Sequence, residues 1–220
     1  MRQPSDAGPA VTTRRARNKE RARERVYASA MTLISQKGYA DTSVAEIAEH
    51  ADIARGTFFN YFPRKEALVN AWAEQRRARL MCRLGSRPQR GLGVAEALRA
   101  CMSDLGDLNE EDPALSMAML TAWVQAGRPL DEESHLGAIF SGIVAAGRAR
   151  GEVSSAVDPG LVGEVLRDLY LGALYRWIRQ FPAVREYRPL GADLQADLQQ
   201  ALDLLLNGVA APAGPHHDPR

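Results

Sequence analysis

Eight consecutive residues, Arg55-Gly56-Thr57-Phe58-Phe59-Asn60-Tyr61-Phe62, put a guanidinium, an amide, two hydroxyls and four aromatic rings into about two helical turns. These are the groups that read a DNA duplex. A guanidinium forks onto guanine O6 and N7, an amide pairs with adenine, methyls and rings meet the thymine methyl, and hydroxyls hold phosphates. Phe58 and Phe62 lie four apart and are expected to be buried, which turns Arg55, Gly56, Thr57, Phe59, Asn60 and Tyr61 partly or wholly outward. Aromatic rings on a surface are costly unless they meet a partner. Packing of Phe59 and Tyr61 between helices is the alternative for those two rings.

Other chemistry has little to stand on. Of four histidines, His216 and His217 fall in a proline-rich end, and His50 and His135 have no evident partners in the sequence. HExxH, paired Glu-x-x-His, phosphate-binding loop and GxSxG patterns are missing, so neither an enzyme nor a metal or cofactor site is expected. Cys82 and Cys101 are too few for a disulfide framework, which fits a reducing cytoplasm. The stretch from Met1 to Val11 is not a hydrophobic signal segment, and no apolar run approaches the roughly 18 residues a membrane span needs.

The net charge of +1 hides an asymmetry. Residues 1–88 carry 17 Lys and Arg against 9 Asp and Glu, a net +8, and residues 89–220 carry 11 against 18, a net −7. Arg14 to Arg25 alone holds seven basic and two acidic residues. A polyanion partner at the N-terminal side follows, with contact to phosphates by Arg14, Arg15, Arg17 and Lys19, or a solvated charge run as the ordinary alternative.

The elements that must position these groups all read as helices. A basic arm over residues 1–19 leads into a helix with Val26, Ala30, Leu33 and Ile34 on one stripe, ended by Gly38. Ser43-Val44-Ala45-Glu46 has the spacing of a capping box for a short second helix through Ala51. Asp52 to Ala54 then form a turn into the Arg55 segment, and Pro63 separates it from a helix beginning near Lys65. Later starts are marked by Asp112-Pro113 and Asp158-Pro159, and Asn207-Gly208 ends the last helix. No strand pattern appears, so the fold class is all-α. The expected divisions are a flexible basic arm (1–19), a helix-turn-helix domain (20–66), a helical regulatory and dimerisation domain (67–208) and a disordered tail (209–220).

Two short helices joined by a tight turn have the proportions of a helix-turn-helix reader. The stretch from Arg25 to Leu68, with Gly38-Tyr39-Ala40-Asp41-Thr42-Ser43-Val44-Ala45-Glu46-Ile47-Ala48, Arg55 to Phe62 and Pro63-Arg64-Lys65-Glu66-Ala67-Leu68, resembles the DNA-binding region of the TetR family of transcriptional regulators. The resemblance implies a homodimeric repressor with three N-terminal helices on a double-stranded DNA operator. It also implies a larger C-terminal helical domain that binds a small-molecule inducer and the second subunit. Carried over by position, Ser43 caps the second helix and holds a phosphate, Thr57, Phe59 and Asn60 face the major groove, and Tyr61 and Lys65 take phosphates. Arg55 suits guanine or, equally, a phosphate. The chain departs from the family pattern at Asp52 in place of a turn glycine, at Ala54 and Arg64 in place of hydroxyl caps, and at Phe59 in place of tyrosine.

For the remainder, the helix from Pro159 carries apolar residues on more than one face, as a helix packed on its own core and on another chain does. Leu169, Trp177, Leu198, Leu202 and Leu205 are the expected homodimer contacts. Met102, Met119, Trp123, Phe140, Tyr170 and Leu174, with Arg167 as a polar group, are the expected lining of an inducer pocket, although the apolar ones equally describe an ordinary core. A helical protein-interaction module that does not read DNA is the alternative for the whole chain.

Overall fold

The computed structural model describes residues 14–86, 91–126, 135–179 and 193–208. Over those residues it is helical: α1 Arg14–Lys37, α2 Val44–His50, α3 Arg55–Phe58, α4 Ala67–Ser86, α5 Val94–Glu110, α6 Pro113–Gln125, α7 His135–Ala149, α8 Pro159–Arg179 and α9 Leu194–Asn207. The expected tail at 209–220 lies outside the described residues. The chain divides into two units, Met1–Ala73 and Glu74–Arg220, with the division inside α4.

Local chemistry accounts for the helix ends of the first unit. α1 stops where Gly38 takes φ +88, a left-handed conformation that costs glycine little. Residues 14–19, expected as part of a flexible arm, are instead the first turns of α1. Arginine, alanine, lysine and glutamate are strong helix formers, and Arg23 donates to Glu20 one turn earlier at 3.1 Å. The core of this unit is built from Val26, Ala30 and Ile34 of α1, Ile47 and Ala48 of α2, Phe58, Phe62, and Leu68 and Val69 of α4. Each of these is at most 2% exposed, so little further apolar area is left to bury.

In the second unit α5 is the central element, with Leu98, Cys101, Met102 and Leu108 buried along it. Asp112 caps α6 by accepting from the Leu115 N–H at 3.0 Å, with Pro113 in the first turn. Asp193 caps α9 in the same way through Ala196 N–H. α9 also lies on α5: the Glu110 carboxylate accepts from Leu194 N–H at 2.9 Å, and burial pushes that carboxyl up from its ordinary pKa. α7 and α8 touch backbone to backbone. A Cβ on Gly163 would fall 2.9 Å from Ser141 N and closer still to the Gly137 carbonyl oxygen.

Candidate nucleic-acid interface

The interface is assembled on α2 and the segment that follows it. Ser43 Oγ accepts from Glu46 N–H at 3.2 Å, and the Glu46 carboxylate accepts from Ser43 N–H at 2.8 Å, so the expected capping box is closed. Lys37, at the end of α1, donates to the same carboxylate. Donation by the Lys37 ammonium first, and then by Ser43, holds the Glu46 carboxyl down at about 2. One carboxylate thereby ties the end of α1 to the start of α2.

The turn between α2 and α3 uses Asp52 at φ +53, the left-handed conformation that asparagine and aspartate tolerate best after glycine. Ala54 occupies the cap position of α3 with no side-chain hydrogen bond, consistent with the missing hydroxyl noted in its sequence. α3 is one turn long, and the chain then tightens: Asn60 N–H donates to Thr57 O at 3.1 Å and Tyr61 N–H to Phe58 O at 2.9 Å. Phe58 and Phe62 anchor the segment from beneath, with ring centroids 5.7 Å apart, and Tyr27 of α1 lies 6.4 Å from Phe62. Both phenylalanines are buried, as their spacing predicts.

This anchoring turns the remaining side chains outward. Arg55, Gly56, Phe59 and Asn60 are exposed, and Thr57 and Tyr61 are half-buried. Phe59 keeps 45% of its surface exposed although its ring edge meets Phe58 at 5.4 Å. Among the described residues, the side chains of Arg55, Asn60 and Tyr61 make no hydrogen bond or ion pair, so their donors are available to a partner. A Cβ built on Gly56 meets nothing within 4 Å. Ser43 is exposed beside this surface, and Arg14, Arg15, Arg17 and Lys19 are exposed along the first turns of α1.

Lys65 is occupied in a way the sequence does not show. Its ammonium donates to the Tyr39 carbonyl, lies 3.5 Å from the Ala40 carbonyl and stands 4.2 Å from the centre of the Tyr39 ring. Burial lowers its pKa, and burial, with Glu66 nearby, raises the Tyr39 phenol to about 12. The residue clamps the α1–α2 connection. Arg23, likewise not singled out from sequence, places its guanidinium 5.2 Å from the centre of the Phe62 ring.

The residues expected around a pocket and a dimer contact are placed unevenly. Met102, Met119, Phe140, Leu174 and Tyr170 are buried in the second unit, and Trp123 is half-buried. Arg167 is not among them: it pairs with Glu164 and Asp168, each at 2.7 Å, on the outer side of α8. A guanidinium flanked by two carboxylates one turn or less away needs no interior partner. Trp177, Leu198 and Leu202 are at most 4% exposed, so their surface is already covered by their own chain and cannot be buried again by another. Leu169 is half-buried and Leu205 is exposed. The apolar residues open to solvent on these helices are Leu161, Val165 and Tyr175 of α8 and Leu204, Leu205 and Leu206 of α9.

Inside the second unit lies a polar knot. Asn109 Nδ2 donates to Leu105 O at 2.7 Å and to the Tyr170 hydroxyl at 2.9 Å, and Arg76 donates to Leu108 O at 2.6 Å and hydrogen-bonds the same hydroxyl. The Asn109 carbonyl oxygen is buried with no hydrogen-bond partner among the described residues. An asparagine four residues after Leu105, on the apolar stripe of α5, is the one sequence signal that could have flagged it.

Comparison with known proteins fixes what this geometry belongs to. The family model described as "Bacterial regulatory proteins, tetR family" matches residues 26–72. The crystal structure of Thermus thermophilus FadR, a TetR family transcriptional repressor in complex with lauroyl-CoA, superposes with a TM-score of 0.68 at 30% identity, covering 88% of this chain and 97% of that one. The chain belongs to the TetR family. The transcriptional repressor KstR of Rhodococcus jostii is 28% identical over 189 residues, 86% of this chain and 84% of that protein. Its counterpart from Mycolicibacterium smegmatis is 25% identical over 191 residues, 86% of this chain and 89% of the other. This TetR-family chain is therefore a helix-turn-helix transcriptional regulator whose matched region contains the whole capping box, the Asp52 turn and the outward surface of α3. No helix among the described residues is long and apolar enough to cross a membrane.

Proposed function

We propose that the chain represses transcription by binding a palindromic operator as a homodimer and is released by a small lipophilic effector. The observation that carries the reading is the outward surface of α3, where Arg55, Asn60 and Tyr61 offer unengaged donors around an unobstructed Gly56. Thr57, Phe59 and Asn60 meet base edges, Arg55 takes guanine or a phosphate, and Tyr61 and Ser43 take phosphates on either side. Lys65 acts by holding the α1–α2 connection. Two copies with recognition elements roughly 34 Å apart would reach successive major grooves on one face of the duplex.

The homodimer contact is assigned to the solvent-facing apolar residues Leu161, Val165 and Tyr175 of α8 and Leu204 to Leu206 of α9. The effector is assigned to the interior of the second unit, with the Arg76, Asn109 and Tyr170 knot meeting its polar end. Lauroyl-CoA bound to Thermus thermophilus FadR makes an acyl thioester the first candidate. Linkage then requires that DNA weaken effector binding by the factor by which effector weakens DNA binding. The regulator has no catalytic task in this reading and works in the cytoplasm, where its operator is.

Selection of bound duplexes from a random pool by the purified protein tests the DNA assignment. A recovered inverted repeat, bound by two protomers and released by lauroyl-CoA but not by coenzyme A alone, is the expected outcome. Recovery of no common sequence would favour the helical interaction module instead.

A further inference from the structure

Leu98, Met102, Leu105 and Asn109 recur at four, three and four along α5 and are all buried, so an amide ends an otherwise apolar stripe. Its nitrogen carries two hydrogens and spends both, one on Leu105 O at 2.7 Å and one on the Tyr170 hydroxyl at 2.9 Å. A main-chain carbonyl can only accept, so the nitrogen must face Leu105 and the amide cannot be turned end for end. The carbonyl oxygen is left over, fully buried and with no hydrogen-bond partner among the described residues. Tying α5 to α8 needs only the nitrogen.

The Tyr170 hydroxyl is half used in the complementary sense. It accepts from Asn109, and its other neighbour, the Arg76 guanidinium, has donors only. The phenolic hydrogen can go to neither. Arg76, Asn109 and Tyr170 all belong to the second unit. The knot thus offers an outside group one acceptor and one donor side by side, both taken out of water, where an unmatched polar group is costly. A carboxylate or a thioester brings acceptors alone and leaves the Asn109 oxygen unmatched. A hydroxyl brings both, its hydrogen to Asn109 Oδ1 and its lone pair to the Tyr170 O–H.

We propose that Asn109 and Tyr170 form a hydroxyl-reading subsite, and that the effector is an apolar chain bearing an alcohol next to its polar end. This rests on the proposed placement of the effector within the second unit, and it narrows the acyl thioester named there to a hydroxylated one. A site built to hydrogen-bond an alcohol rejects the analogue lacking it, because its own polar groups are then left unmatched.

The test measures binding of lauroyl-CoA, 3-hydroxylauroyl-CoA and 1-decanol to the full-length protein by titration calorimetry, with Asn109→Leu and Tyr170→Phe beside wild type. Wild type is expected to bind 3-hydroxylauroyl-CoA at least about tenfold more tightly than lauroyl-CoA. Asn109→Leu, close in volume, brings that ratio to about one, and Tyr170→Phe reduces it severalfold. Thermal melting reports whether each variant is folded. Should Asn109→Leu not fold, Tyr170→Phe decides, and an unchanged ratio in it overturns the proposal. Equal affinities of wild type for the two thioesters overturn the hydroxyl subsite and leave the thioester assignment standing. A preference that survives both variants means that other residues read the hydroxyl, and overturns the proposal too. Binding of 1-decanol with neither thioester bound removes the thioester assignment; it keeps the subsite if Asn109→Leu loses the alcohol and overturns it if not. If none of the three binds, both assignments fall.

Discussion

Replacing Gly56 by alanine sets folding and DNA binding against each other. Gly56 is the second residue of a helical turn, outside the left-handed region, and an added Cβ meets nothing within 4 Å. Removing glycine's excess freedom from such a site stabilises by about 0.5–1 kcal/mol, a rise of roughly 2 °C in Tm for a chain of this size. If the α3 surface lies against base edges, the same methyl meets the duplex. Overpacking a fitted contact costs about 1–3 kcal/mol, or roughly 5- to 150-fold in affinity. Urea titration followed by helical circular dichroism reads the first effect, and fluorescence anisotropy on a selected duplex reads the second. Gly56→Ala that binds DNA as wild type refutes the close approach, and Gly56→Ala that lowers the urea midpoint refutes the open geometry.

The Glu46 carboxyl, held at about 2 in the folded chain, binds a proton less readily than in the unfolded one, so its contribution is complete above the ordinary value of 4.5 and fades as pH falls toward 2. Glu46→Gln should therefore be less stable than wild type at neutral pH, and the gap, read by urea titration at each pH, should close on acidification. Lys65→Met should cost about 1–2 kcal/mol by freeing the Tyr39 and Ala40 carbonyls from their charged donor, a loss visible in thermal melting without DNA. Gly163→Ala should lower stability by about 1–3 kcal/mol, since the atoms in its way belong to the Gly137 and Ser141 backbone and cannot rotate aside; the urea midpoint measures it.

What could be read from the residue order was local. The Ser43 and Glu46 box, the Asp52 turn, the uncapped Ala54 and the burial of Phe58 and Phe62 each depend on neighbours within a few positions, where spacing determines geometry. The clamp of Lys65 on Tyr39 joins residues 26 apart, and no local pattern encodes it. Periodicity shows that α8 and α9 have apolar faces but not which face meets their own core, so spacing alone fits Trp177, Leu198 and Leu202 to a partner, whereas burial leaves Leu161, Val165 and Leu204 as the residues open to one. The start of α1 at Arg14, inside the expected arm, has a different cause. A run of like charges reads as repulsive and mobile, yet helix propensity and the Glu20 pairing outweigh the repulsion.

The meeting of α7 and α8 at Gly137, Ser141 and Gly163 removes the cushion of side chains over which helices normally slide. A rotation of either by a fraction of a turn would bring Val162 or Glu164 against main-chain atoms. The two therefore carry force as a single beam, and whatever deformation an effector imposes on them must be taken up at their margins, such as the turn that ends at Asp158.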